Sequence, residues 1–285
     1  MKITATERKK LISKYMKTPE GRVQIAAAMN QPLREYQDYE AVGRRAFTVD
    51  SLLDGDLPYY DKDVNVTAFV IGEEGESVTE VAKGDRVFVP LFEVASLVEI
   101  PLTQLKQRRY DVESRVKQKT RAEVFRTEDN KIFKLFKATV DDTNSPNTLG
   151  TATAGAVTFN DISDAMGEVE KHGSNRVANI FINGKNQTVF RKVLKDLFEP
   201  VTVGEIIKTG FIGVFGGAQV HVSPEVQEDY IYFTADKEFL GVISESQKLT
   251  ILSADNPAKR AIGFSIFEQI GCYVQSSGIS ALKLV

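Results

Sequence analysis

Two histidines and one cysteine are the residues of this chain best suited to acid–base, nucleophilic or metal chemistry, and the sequence keeps them apart. His172 stands beside Gly173 at the expected end of a helix, where a positive charge complements the helix dipole. His221 lies in the alternating run AQVHV and reads as a half-exposed strand residue. The two fall in different elements, so no metal cluster is visible. Cys272, between Gly271 and Tyr273 in an apolar strand, reads as a core residue. Gly210, Gly213, Gly216 and Gly217 have the density of a phosphate loop. A strand rather than a helix follows them, however, and no Gly-Lys-Ser/Thr is present. The expectation is therefore no catalytic residue, no cofactor and no metal.

The remaining chemistry is charge, and it is unevenly placed. Net charge is only −3, which argues against a dedicated nucleic-acid binder. Yet Lys2 to Arg22 carries seven basic side chains against Glu7 and Glu20, while Asp50 to Asp85 carries ten acids against Lys62 and Lys83. The apolar and charged fractions are those of an ordinary folded protein of one large domain or two intimate ones. No apolar run approaches the ~18 residues needed to cross a bilayer, and Lys14 and Lys17 break any signal-peptide core. A single cysteine excludes an internal disulfide framework and fits a reducing compartment.

The elements that position these charges are organised around one long helix, predicted at about 111–138. Val112, Val116, Thr120 and Val124, then Phe125, Ile132, Phe133 and Phe136, form its apolar stripe. Because Arg115, Lys117, Lys119, Arg121, Arg126, Lys131 and Lys134 occupy the other faces, it reads as a strut across a surface. Before it, short helices at 4–17, 23–29 and 32–42 bury little against one another. A two-stranded ribbon follows, with Val64 to Val70 leaving, an acidic tip at 73–77, and Val78 to Val81 and Arg86 to Val94 returning. Such a ribbon is marginal alone and needs a surface from elsewhere. After the long helix, 141–158 reads as a linker, and Asn160 caps a helix to about Lys171. Val177 to Ile182 forms a strand, and Gln187 to Phe198 a helix. The rest is β-rich and closes in two long strands that turn at 275–278.

In this order the pieces resemble the HK97-fold major capsid proteins of tailed phages. The best-matching stretches are DRVFVPLFEVASLVEIPLTQLKQRRYD running into the helix, EDNKIFKLFKA at its end, FNDISDAMGEVEKHGSNRVANIFINGK, GFIGVFGGAQVHVSPEV, EFLGVISESQKLTIL and FEQIGCYVQSSGISALKL. The resemblance spans roughly 45–285 and lies in segment order and apolar pattern. It implies an α+β fold: an N-terminal arm at 1–49, an extended β-hairpin E-loop at 50–95, a peripheral domain with the spine helix at 96–150 and 259–285, and an α/β axial domain at 151–258. It further implies self-assembly into hexamers and pentamers of an icosahedral shell enclosing double-stranded DNA. The expected partners are copies of itself, a separate scaffolding protein, a portal and a decoration protein, without membrane, in a virion assembled in the host cytoplasm. A long helical N-terminal extension is absent, so little N-terminal trimming is expected. Some members join subunits by lysine–asparagine bonds, for which Lys62, Lys83, Asn256 and Glu268 could occupy comparable places; most members lack the bond and it is not the expectation here.

The inter-subunit surface is expected where the acidic tip, Glu73, Glu74 and Glu76, lies over a neighbour's Lys117, Lys119 and Arg121. Val64, Val66, Phe88 and Phe92 would supply apolar burial. Arg8, Lys9, Lys10 and Lys14 would face the DNA. The rivals are an encapsulin-like cargo compartment and a small α/β enzyme that dimerises through an extended arm.

Overall fold

Val112–Val140 form one uninterrupted helix, α1, two residues longer at its C-terminal end than its periodicity predicts. The computed structural model describes residues 39–53, 55–62, 85–103, 112–173, 175–197 and 214–285; the helices predicted ahead of Tyr39 and the strands predicted between Asp63 and Gly84 lie outside them. The chain divides into a larger unit (41–94, 125–250, 267–285) and a smaller one (1–40, 95–124, 251–266).

The larger unit is built on a six-stranded sheet, in order β5 (Gly150–Ala152), β12 (Ile279–Leu284), β9 (Tyr230–Ala235), β6 (Val177–Ile182), β8 (Ala218–Val222) and β7 (Val214–Phe215). Side chains alternate across a strand, and here both faces are covered. Ile180, Ile182, Ile231, Phe233 and Leu282 point into one core with Ile162, Met166 and Val169 of α2 (Phe159–Glu170) and Phe190 and Val193 of α3 (Gln187–Leu197). Phe181, Tyr230, Tyr232, Ile279 and Ala281 point into a second core with Ile132, Phe133, Phe136 and Val140 of α1. Two-sided burial is why β9 is buried at every residue. The second core is largely aromatic. Phe133 lies 5.8 Å from Phe136 and 5.5 Å from Phe181, while Phe136 lies 5.6 Å from Phe47. Such pairs are worth about 0.5–1.5 kcal/mol each beyond their burial.

This changes the character of α1. From Phe125 on it is no surface strut: Glu128, Asp129, Ile132, Phe133 and Phe136 are all fully buried. The stripe widens where Ile132 and Phe133 stand side by side, and a wide stripe is what a helix needs to fill a core.

Residues 141–158, expected as a linker, are structured. The buried Asn147 amide donates to the carbonyls of Ser276, Ser277 and Ile279, at 3.2, 3.3 and 2.6 Å, and β5 pairs parallel with β12. The cap of α2 is Thr158 rather than Asn160. Thr158 and Asp161 form a reciprocal capping box, so the helix starts one residue before the predicted cap.

A four-stranded sheet has the order β1 (Thr48–Ser51), β10 (Gly241–Ser253), β11 (Ala261–Val274) and β4 (Phe92–Pro101). In the smaller unit, Ile100, Val112 and Phe264 form a small core with Val116 and Ile262 against it. Between β10 and β11, Asn256 caps a short turn and donates to Glu99 Oε1 at 3.2 Å, and Lys259 reaches Glu99 Oε2 at 3.0 Å. Arg260 ends that turn in the left-handed region at φ 50°. A left-handed side chain costs about 1–2 kcal/mol, part of which glycine's extra chain entropy offsets. Arg260→Gly is therefore expected to stabilise the protein by about 0.5–1 kcal/mol, read as a higher urea midpoint. A lower midpoint would mean that the guanidinium has a role the strain hides.

Candidate functional site

Two fastenings in the larger unit hold the segments that the sequence assigns to contacts outside the subunit. The first is the 3₁₀ turn Gly43–Ala46, in the stretch that the sequence assigns to an N-terminal arm. The Val42 and Gly43 amides donate to the two carboxylate oxygens of Asp129 on α1, at 2.8 and 3.0 Å. Glycine is required at 43, because an added Cβ would stand 2.7 Å from Asp129 Oδ1. Arg44 then donates from Nε to Glu128 on α1, from one terminal nitrogen to Glu245 on β10 at 3.0 Å, and from the other to Glu268 on β11 at 2.8 Å. One guanidinium thus ties four elements together. Glu128 and Glu268 are fully buried, and burial pushes their carboxyls upward, Glu128 to about 8.

The second fastening is the root of the acidic loop, where β2 (Tyr59–Asp61) pairs antiparallel with β3 (Arg86–Phe88). The Tyr60 hydroxyl donates to Asp50 at 2.8 Å and accepts from Ser244 at 2.9 Å. The Tyr59 and Phe88 rings lie 5.2 Å apart, and both are more exposed than buried. Leu53 and Leu57 are 77% and 67% exposed. Exposed apolar side chains on a fixed hairpin root and in the chain leading into it mark a surface suited to being covered.

Of the expected inter-subunit residues, Phe88 is exposed in this row, whereas Phe92 packs half-buried on the second core of its own chain. Lys117 pairs with Glu113 at 2.8 Å and sits 4.1 Å above the Phe264 ring; Lys119 and Arg121 are exposed. Val64, Val66, Glu73, Glu74, Glu76, Arg8, Lys9, Lys10 and Lys14 lie outside the described residues. Among the cross-link candidates, Glu268 is held by Arg44 and the Asn256 amide by Glu99, while Lys83 is undescribed.

His221 is not the half-exposed strand residue expected. It is buried, stacks on Phe181 at 5.3 Å, and contacts Asn179 Oδ1 through Nε2 at 3.1 Å. Burial and the nearby Arg45 push its pKa down, so it is a neutral core residue. His172 Nε2 lies 2.6 Å from Asn147 Oδ1 and steadies that loop anchor. Cys272 lies against the second core, and burial holds its thiol up to about 12. Gly216 and Gly217 make the hairpin turn between β7 and β8. Among the described residues no group of side chains could hold a metal, and no helix is long and apolar enough to cross a membrane.

The residues missed by the sequence reading are Arg44, Glu128, Asp129 and Glu245. A signal existed for two of them. Glu128 and Asp129 stand three and four residues from Phe125 and from Ile132, inside the apolar stripe, where carboxylates demand partners.

The sequence profile of the phage capsid family matches residues 25–284. A comparison with curated proteins finds no match. Among solved structures, the capsid of cyanophage P-SCSP1u superposes with a TM-score of 0.66 at 12% identity, covering 90% of this chain and 91% of that one. The capsid of a native GTA particle gives 0.63 at 18% identity, covering 90% and 94%. A virus-like particle from Pyrococcus furiosus gives 0.56 at 16%, covering 86% and 93%.

Proposed function

The chain belongs to the phage capsid family and is a capsid protein that forms an icosahedral shell with copies of itself; on that premise we propose that it assembles through hexamers and pentamers around double-stranded DNA, with the acidic loop and the N-terminal arm as its two inter-subunit devices. The supporting observation is the pair of roots. The described residues next to the arm and next to the acidic loop, Val42 to Arg44 and the paired Tyr59–Asp61 and Arg86–Phe88, are fastened by buried or multiply bonded side chains. A segment that swings freely gives a neighbour no defined register, whereas one leaving a fixed root does. The exposed row Leu53, Leu57, Tyr59 and Phe88 supplies apolar area for the contact. On this reading residues 1–49 are the arm, 50–95 the E-loop, 96–150 and 259–285 the peripheral domain, and 151–258 the axial domain. A scaffolding protein, a portal and a decoration protein are its further partners. Assembly takes place in the host cytoplasm.

The tip glutamates Glu73, Glu74 and Glu76 would lie over Lys119 and Arg121 of a neighbour, with Lys117 shared with its own Glu113. Exposed pairs are worth about 0–1 kcal/mol each, so charge sets register while apolar burial supplies most of the affinity. Arg8, Lys9, Lys10 and Lys14 would face the DNA, with contacts that weaken as salt rises. The chain, expressed with its scaffold and examined by sedimentation and negative-stain microscopy, is expected to give closed shells or capsomer rings. Reversing Glu73, Glu74 and Glu76 to lysine should abolish or misdirect them. Normal shells from the triple variant would overturn the tip contact, and a discrete dimer from the parent chain would overturn the assembly reading. The rival reading, an encapsulin-like shell that packages protein cargo, is separated from this one by the nucleic-acid content of purified shells.

A further inference from the structure

The arm root holds more buried acid than its base can neutralise. Arg44 of the 3₁₀ turn faces Glu128 from α1, Glu245 from β10 and Glu268 from β11, and among the described residues no other cation pairs with these three. The other described groups bonded to this cluster are not cations. Asp129, also from α1, has both oxygens on the Val42 and Gly43 amides. Ser51 of β1 donates to Glu245 at 3.3 Å, and the Cys272 thiol of β11 stays neutral. Three ionised carboxylates on one guanidinium would leave two negative charges unmatched in a site where Glu128 and Glu268 have no solvent exposure.

The atoms show how this is avoided. Glu128 uses Oε1 on Arg44 and Glu268 uses Oε2. Among the described residues, no N–H or O–H reaches the other oxygen of either, Glu128 Oε2 or Glu268 Oε1. A fully buried acceptor without a donor is costly. One guanidinium draws both carboxyls to itself, and a hydrogen bond from Glu128 acts on the Glu268 carboxyl. Two acceptors so gathered, each with an oxygen lacking a donor, are satisfied together by one proton.

We propose that Glu128 and Glu268 share one bound proton in the folded subunit, which makes the fastening of the arm root a proton-dependent latch. This adds regulation to the arm described above. It bears on the subunit before any shell forms. A carboxyl raised above its ordinary value binds its proton more tightly folded than unfolded. The stability it brings is complete below the ordinary carboxyl value of 4.5 and is lost as pH rises through about 8. Above that range a second unmatched charge appears beside Glu245, Arg44 can no longer balance the site, and the turn that carries Val42 and Gly43 loosens.

The test compares purified wild type with Glu128→Gln and Glu268→Gln, each of which removes one charge and supplies an N–H donor to the bare oxygen. Unfolding in weakly buffered urea at pH 6.5 should release about one proton more per chain from wild type than from either variant. Between pH 5 and 8 the wild-type urea midpoint should fall more steeply than the variants', so that the variants are the more stable at pH 8. Equal proton release from all three chains would overturn the shared proton. Should a variant fail to fold, the other carries the comparison. In wild type alone, exchange of the Val42 and Gly43 amides, corrected for the intrinsic effect of pH, should accelerate across pH 8. Unchanged corrected exchange would overturn the latch. None of these readouts needs a shell, so loss of assembly and loss of the proton are separate outcomes.

Discussion

Arg44→Ala is expected to destabilise the subunit by about 3–5 kcal/mol, the usual consequence of removing one partner from a buried ion pair, and to leave little soluble protein near neutral pH. The side chain bonds three carboxylates that belong to α1, β10 and β11, so its loss strands three acceptors at once. The sign of the pH effect is distinctive. Without the guanidinium the fully buried Glu128 and Glu268 carboxyls must take up protons to stay buried, and acid supplies them. The deficit between Arg44→Ala and wild type should therefore shrink as pH falls from 7.5 toward 5, which is opposite to ordinary acid denaturation of paired carboxylates. Urea midpoints at the two pH values decide it. A deficit under about 1 kcal/mol, or one that grows in acid, would show that the cluster is held by its surroundings and not by the arginine.

Gly241→Ala is expected to cost as much or more. Gly241 opens β10 at φ 152°, outside the region that side chains favour, and an added Cβ would stand 2.1 Å from the Tyr273 carbonyl oxygen and 3.0 Å from its carbon. Both obstructing atoms are backbone. They belong to the end of β11, which is tied back to the preceding turn by the Gln275 amide on the Leu240 carbonyl at 2.7 Å. No rotamer change relieves such a clash. Either β11 shifts or the β10 start unwinds, at roughly 3 kcal/mol or more once strain and repacking combine. A soluble variant with an unchanged thermal midpoint would show that the strand end yields more easily than its packing suggests.

The sequence makes some of this legible and hides the rest for identifiable reasons. The span of α1, the β6 strand, the α3 helix and the closing strands follow from periodicity, because their burial is one-sided or complete over consecutive residues. What periodicity cannot report is a partner far along the chain. Glu128 and Asp129 stand inside the apolar stripe and so call for partners, but those partners, Arg44, Val42 and Gly43, come from 84 to 87 positions away. Residues 141–158 look like a linker because they are small and polar. Asn147 nevertheless fastens them to carbonyls some 130 positions on. His221 shows the same limit, since AQVHV alternates like a half-exposed strand and only the second layer over the sheet buries its ring. The acidic tip, the basic arm and Phe88 are assigned from charge and pattern; of these only Phe88 lies among the described residues, on the fixed loop root.

The position of β12 has a consequence for when a subunit becomes usable. This strand, Ile279–Leu284, is the last of the fold to be synthesised, yet it lies inside the six-stranded sheet between β5 and β9. Until it leaves the ribosome, those two neighbours have no backbone partner on their facing edges, and both aromatic and aliphatic cores lack the residues it carries. Pairing β5 with β12 also closes a loop of more than a hundred residues, which makes the step slow and late. A chain whose β12 is not yet available therefore has neither core complete and lacks an inner strand of its six-stranded sheet.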